Sequence, residues 1–252
     1  MILVIGEILF DLFLDDRRIG GAPFNFAFHL KKLGFDVRFI SRVGQDDLGS
    51  NAIEAVEAAR FDPGDIQRDT LFPTGRVKVV MDVDGSHEFC IAQNTAYDHI
   101  VFDHRLKALS ESGPALFYFG TLIQRTPHGH SLVKSVLDHL PPETQTFCDI
   151  NLRPGCYSKK TIAFSIRASD ILKLSLEELC LLVPDQGMGL EQRAARLLEK
   201  GPKCVILTLG EKGSLWVSKK GGAFPFSRLY RWHWIVHVCH LLQAVPTPCF
   251  IK

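Results

Sequence analysis

Short apolar, β-branched runs alternate with helical patterns along most of this chain, and that alternation limits the folds open to it. Residues Ile2–Phe10, Val37–Val43, Ala115–Phe119, Thr146–Ile150, Ile171–Leu174 and Cys204–Leu209 read as strands. Between them Asn25–Leu33, Leu48–Ala59, His128–Leu140, Leu176–Val183 and Leu190–Glu199 carry helical periodicity. Gly34 stands where a C′ glycine belongs, and Ser175 precedes Glu177 and Glu178 as an N-cap does. Strands that alternate with helices predict an α/β fold with a mostly parallel sheet covered on both faces. Arg76–Asp82 and His87–Ile91 break the pattern as two strands around an Asp84-Gly85 turn. This hairpin is either a lid or oligomer contact, or an edge that covers part of the core.

Bulk properties remove several function classes. A net charge of +1 over 252 residues offers no basic field for nucleic acid. The N-terminus lacks a basic region before its apolar run, and Glu7 and Asp11 follow at once, so it reads as a buried first strand and not a signal peptide. No apolar stretch reaches the roughly 20 residues that span a bilayer. Seven cysteines at scattered spacings predict reduced core thiols and a cytoplasmic location.

Several segments carry chemistry. Gly20-Gly21-Ala22-Pro23-Phe24-Asn25 gives a smooth backbone followed by an asparagine at a helix start, which suits a ligand lying close to the chain. On those residues alone, a tight turn with a helix cap is the competing reading. Asp11 ends the first apolar run, at the edge where open α/β sheets bind ligands. Asp149, Asn151 and Arg153 alternate along an extended segment and so project to one side; a structural ion pair with a turn at Pro154 is the alternative. Glu178 is a binding carboxylate or a first-turn helix acid, and Gly210 and Gly213 are a ligand loop or a plain turn.

Taken in order, these segments resemble the PfkB/ribokinase family of carbohydrate kinases, and most closely its fructokinase branch. Gly20-Gly21 through Asn25, with Gly34 and Gly44, is similar to the family's first signature; Val43-Gly44-Gln45-Asp46, Asp149-Ile150-Asn151-Leu152-Arg153-Pro154 and Thr208-Leu209-Gly210-Glu211-Lys212-Gly213 resemble further family motifs. The resemblance implies a ribokinase-like α/β fold, a mostly parallel sheet between helices with a small β-hairpin lid at about residues 74–92. It implies ATP and Mg2+ as cofactors, a small-molecule sugar as substrate, and a possible homodimer through the lid hairpin. Nucleic acid and membrane partners are not expected. Sugar contacts fall on Asp11, Gly20, Gly21, Asn25 and Arg153. Glu178, Thr208, Gly210 and Gly213 fall on the nucleotide side, with Glu178 acting on magnesium through water. Ser175 stands where the family has an asparagine partner for that glutamate.

The resemblance covers about residues 1–225. The family's second signature, Asp-Thr-x-Gly-Ala-Gly-Asp, supplies a phosphoryl-binding helix N-terminus and the catalytic base, and no such string occurs here. At that point composition shifts to Leu229-Tyr230-Arg231-Trp232-His233-Trp234 and onward, with no glycine or acidic residue. The expectation is therefore a truncated and impaired kinase: a domain over 1–226 with its C-terminal part missing, and a divergent, frame-shifted tail over 227–252. No catalytic residue is assigned. The rival expectation is a non-catalytic sugar-binding or unstable remnant. His233, His237 and His240 share one helical face, which is weak ground for a metal site without a carboxylate partner.

Overall fold

The computed structural model describes residues 1–13, 16–81, 87–185, 187–219 and 223–226. The Asp84-Gly85 turn and the histidines of the tail lie outside the described residues. The first half runs β1 (Ile2–Ile5), β2 (Leu9–Leu12), β3 (Arg17–Gly20), α1 (Ala22–Lys32), β4 (Val37–Gly44), α2 (Asp47–Ala58), β5 (Ile66–Asp69), β6 (Gly75–Met81) and β7 (His87–Ile91). The second half runs α3 (His104–Glu111), β8 (Leu116–Gly120), α4 (Pro127–His139), β9 (Gln145–Asp149), α5 (Lys159–Arg167), β10 (Ile171–Ser175) and α6 (Leu176–Leu182). It ends with α7 (Leu190–Leu198), β11 (Cys204–Thr208), β12 (Ser214–Ser218) and β13 (Ala223–Phe226).

Among the described residues, nine strands form the main sheet in the order β13-β12-β11-β10-β9-β8-β1-β4-β5. All pairs from β5 to β11 are parallel, while β11–β12 and β12–β13 are antiparallel. A central strand of such a sheet is covered on both faces and needs an unbroken apolar run. Leu116-Phe117-Tyr118-Phe119 in β8 is that run, and it is buried throughout. Alternate residues divide into two cores. Leu3, Ile5, Phe117 and Phe119 share one with Leu132 and Val136 of α4 and Leu197 of α7. Val4, Phe39 and Tyr118 share the other with Phe24 and Phe26 of α1 and Val56 of α2. Phe26 stacks on Tyr118 at a centroid distance of 4.1 Å. Among the described residues, no helix is long and apolar enough to cross a membrane.

The expected first strand, Ile2–Phe10, is two strands in two sheets. The chain breaks at Gly6, where a Cβ would collide with the Pro23 ring. It then re-enters as β2 in a separate four-stranded sheet of order β3-β2-β6-β7. Asp11 consequently sits on β2, opposite Arg18 of β3 and Val77 of β6, and not at the end of the first strand. The expected hairpin is present as the β6–β7 pair, from Val77 opposite Ile91 to Met81 opposite His87, but it is half of a larger sheet. Helices α3 and α5 were not expected from the sequence; Asp103 and Ser158 cap them by accepting from Leu106 N and Thr161 N.

A buried ion pair fixes the base of the smaller sheet. Arg125 Nε and Nη2 donate to the two Asp98 carboxyl oxygens at 2.7 and 2.6 Å. Arg125 Nη2 also donates to the Ala92 carbonyl just beyond β7 at 2.8 Å. Both side chains are almost wholly enclosed, at 3% and 0% exposure, so removing one partner strands a charge in the interior. Arg125→Ala is expected to lower unfolding free energy by about 3–5 kcal/mol in urea titration. A loss under about 1 kcal/mol would show that the clasp is dispensable.

Candidate active site

Two glycines let the start of α1 approach the end of β1. Gly21 has φ 111°, and a Cβ there would run into the Glu7 carbonyl oxygen. The close approach turns Asn25, one turn into α1, toward the C-terminal ends of the central strands. At that edge the strand order reverses, since β1 leads out to β4 on one side while β8 leads to β9 on the other.

A cavity of about 370 Å3 lies there, between the two sheets. From the smaller sheet come Leu9, Asp11, Val77 and Ile91. From the larger sheet come Asp149 and Lys173, and from the helix, turn and loops around it Glu7, Gly21, Ala22, Asn25, Leu122, Asn151 and Arg153. Asp11, Gly21, Asn25 and Arg153 were all expected from the sequence to share one site, and they do line one cavity. Gly20 lies just behind it, where a Cβ would stand 3.3 Å from Asp11 Oδ2. Asp149, Asn151 and Arg153 all reach the cavity, but β9 ends at Asp149 and the chain leaves the extended conformation at Asn151, with φ 37°.

Charge at the site is organised around Asp149. Lys173 Nζ donates to its two carboxyl oxygens at 2.9 and 3.2 Å, and the Tyr118 hydroxyl donates to Oδ2 at 3.2 Å. Burial, followed by the Asp149 charge, pushes the Tyr118 phenol well above its ordinary value. Burial also raises the Asp11 carboxyl, with Arg153 pulling the other way. Sequence reasoning missed Glu7 and Lys173 as site residues. Glu7 is 2% exposed, and burial lifts its carboxyl from 4.5 to about 7 against hydrogen bonds from the backbone N–H groups of Glu7 and Ala22. A buried acid directly after a glycine break was the available signal.

The residues expected on the nucleotide side lie apart from this cavity. Thr208 ends β11, two strands along from β9, and its hydroxyl donates to the Leu174 carbonyl at 3.3 Å. Gly210 and Gly213 form the following turn, with φ 59° and 93°. Glu178 is buried in the first turn of α6. One oxygen accepts from Leu152 N at 2.6 Å and the other from Ser175 N at 2.7 Å, while Ser175 Oγ accepts from Glu178 N. That reciprocal cap joins β10, α6 and the loop after β9. Burial leads the causes that raise its carboxyl. Among the described residues no group of three or more His, Cys, Asp or Glu side chains forms a metal cage. Magnesium carried on nucleotide phosphates needs only one or two protein carboxylates. Glu178, with both oxygens already accepting from the backbone, does not fit direct ligation.

The pfkB family carbohydrate kinase model matches residues 2–230. The chain belongs to that family. Its members are phosphotransferases. An uncharacterized sugar kinase of Pyrococcus horikoshii is 29% identical over 230 residues, which are 84% of this chain and 70% of that protein. The fructokinase of Rhizobium leguminosarum bv. trifolii is 26% identical over 233 residues, covering 85% and 68% of the two chains. The chain spans 60–70% of the length of such curated relatives. Among solved structures, a Xylella fastidiosa fructokinase with bound ATP superposes with a TM-score of 0.79 at 20% identity, over 91% of this chain and 74% of that one. The P. horikoshii sugar kinase in complex with ATP gives 0.74 at 25% identity, over 91% and 78%.

Glu7 makes the stability of this kinase fold depend on pH. Between 4.5 and about 7 the folded chain holds a proton on Glu7 that the unfolded chain has released. Stability therefore falls as pH rises through that window. Glu7→Gln removes the titration and with it this slope. The stability of the variant relative to the parent is expected to rise by about 3 kcal/mol across the window in urea unfolding at several pH values. Parallel curves for the two proteins would place the Glu7 carboxyl at its ordinary value.

Proposed function

We propose that the cavity binds a neutral sugar, with fructose the favoured member, and that the family reaction at this site moves the ATP γ-phosphoryl group to a sugar hydroxymethyl. The observation that carries this reading is the meeting of Asp11, Gly21, Asn25 and Arg153 in one cavity between two sheets. Carboxylate and amide groups suit the many hydroxyls of a sugar. Leu9, Val77, Ile91 and Leu122 supply an apolar wall for its C–H face. The balance of charge favours a neutral ligand over a sugar phosphate. Glu7, Asp11 and Asp149 stand against Arg153 and Lys173, and Lys173 is engaged by Asp149.

Thr208, Gly210 and Gly213 are proposed to face ATP from the β11–β12 turn. Magnesium is proposed to arrive with the nucleotide, and Glu178 to act on it through water while it holds the loop that carries Arg153. The β6–β7 pair is proposed to cover the sugar and to serve as a homodimer contact. The five described cysteines are free thiols, which fits a reducing, cytoplasmic setting. For these 252 residues taken by themselves we propose impaired turnover, because they contain no Asp-Thr-x-Gly-Ala-Gly-Asp string. A missing general base typically costs about 10²–10⁴-fold in rate. Sugar binding without turnover, within a domain over 1–226 followed by a divergent tail, is the second reading.

Titration calorimetry with D-fructose, other hexoses, pentoses and nucleosides, run beside sugar-dependent ADP release with ATP and magnesium, tests both. Saturable binding of one neutral sugar with slow or no ADP release is expected. Asp11→Asn should weaken that binding by about 10- to 100-fold, the scale of a charged hydrogen bond. Rapid turnover would overturn the impairment. No binding of any sugar by folded protein would overturn the sugar reading itself.

A further inference from the structure

A second cavity, of about 410 Å3, opens between α5 and α6 and shares no residue with the first. That volume is in the range that takes a small molecule. Helix α5 gives it Lys159, Ile162, Ala163, Ile166 and Arg167. Their spacing of three and four places them in one stripe down the whole helix, about 12 Å long. Leu181 and Leu182 at the end of α6 form the facing wall, and Lys200 just beyond α7 closes one end. Leu181 is 65% exposed, so the apolar wall reaches the mouth of the cavity.

The charge around this cavity is all of one sign. Lys159, Arg167 and Lys200 line it and no acid does. None of the three has an ion-pair partner among the described residues. Arg167 and Lys200 stand together, because Gly201 packs so close to the end of α5 that a Cβ there would lie 2.9 Å from Arg167 Cα. Both suit the C-terminal ends of their helices, where the macrodipole favours cations. Lys159 does not. It opens α5, at the end that favours anions, and the first turn of that helix holds no acid. The macrodipole leaves Lys159 unexplained, whereas an anionic ligand accounts for it.

We propose that this cavity binds a small, elongated dianion with an apolar middle. One carboxylate or phosphate group is held by Arg167 and Lys200, the body lies along Ile166, Ala163 and Ile162 against Leu181 and Leu182, and the second anionic group meets Lys159. Arginine offers an oxyanion two parallel donors, and a lysine beside it adds a point charge. The apolar middle covers the hydrophobic wall that water otherwise touches. The site is separate from the sugar cavity, and the inference stands or falls without the sugar reading.

Calorimetry with nonanedioate, nonanoate, nonanediol and succinate tests it, on the parent protein and on Arg167→Gln, Lys159→Gln and Leu181→Glu. All three side chains are exposed and none lines the sugar cavity, so the fold is expected to survive with an unchanged urea midpoint. Nonanedioate should bind at one site per chain. The diol lacks charge and succinate lacks an apolar body, so neither should bind. Arg167→Gln should weaken nonanedioate by about 10- to 100-fold, the scale of a charged hydrogen bond. Lys159→Gln should bring nonanedioate down to the affinity of nonanoate and leave nonanoate within about twofold. Leu181→Glu, which sets an acid in the apolar wall, should abolish binding of both. Lys200→Gln stands in if Arg167→Gln does not fold. Equal binding of the diol, binding at many sites, or indifference to Arg167 and Leu181 would overturn the inference, and so would no binding of any of these molecules at millimolar concentration. An acidic amphipathic peptide that bound where none of them did would give the groove to a protein partner and overturn it likewise.

Discussion

The site depends on one close approach, that of the end of β1 to the start of α1. Gly6 gives way to the Pro23 ring and Gly21 to the Glu7 carbonyl, and neither contact tolerates a side chain. Because the backbones meet there, Asn25 and the Glu7 carboxyl reach the cavity from two elements that leave almost no space between them. The same break at Gly6 sends the chain out of the main sheet, so that Asp11 returns from a different one. A bulkier residue at either glycine would move the helix, the buried acid and the route to β2 together.

Around that junction the electrostatics are settled by pairing. Asp149 would be an unfavourable buried charge between Glu7 and Tyr118 if Lys173 did not meet it from the neighbouring strand. Parallel pairing of β9 with β10 puts Lys173 beside Asp149 in register, so the ion pair follows from topology. The ring stack of Phe26, Tyr118 and Phe147 beneath it excludes water and holds the Tyr118 hydroxyl toward the carboxylate. Among the described residues Glu7 has no ion pair of that kind, and burial leads the causes that lift its carboxyl.

Much of this was readable in the sequence, for identifiable reasons. Strand–helix alternation is set by local pattern, and the main sheet followed it. The glycine–asparagine segment and the Asp149 to Arg153 segment are short and contiguous, so their residues stay together in space. What escaped depended on partners far apart in the chain. Lys173 looks like any strand lysine until β9 lies beside it. Glu7 looks like a solvent-facing acid until Gly21 closes over it. The run Ile2–Phe10 is apolar throughout apart from Gly6 and Glu7, so periodicity alone hides its passage between two sheets. Glu178 shows the reverse case. A motif position suggested a ligand-side role, and the observed geometry gives it a capping role that joins three segments.

The placement of Asp11 has a mechanical consequence. It belongs to β2, which is hydrogen-bonded to β3 and β6 of the smaller sheet, whereas Asn25 and Arg153 belong to the larger body. A molecule held by all three is a tie-bar between two plates, and its binding energy is also the force that draws them together. The same ligand that is recognised becomes part of the wall that encloses it. On the proposed reading a ligand is held from both plates at once, and the Arg125 contact to the Ala92 carbonyl ties the outer plate to the body.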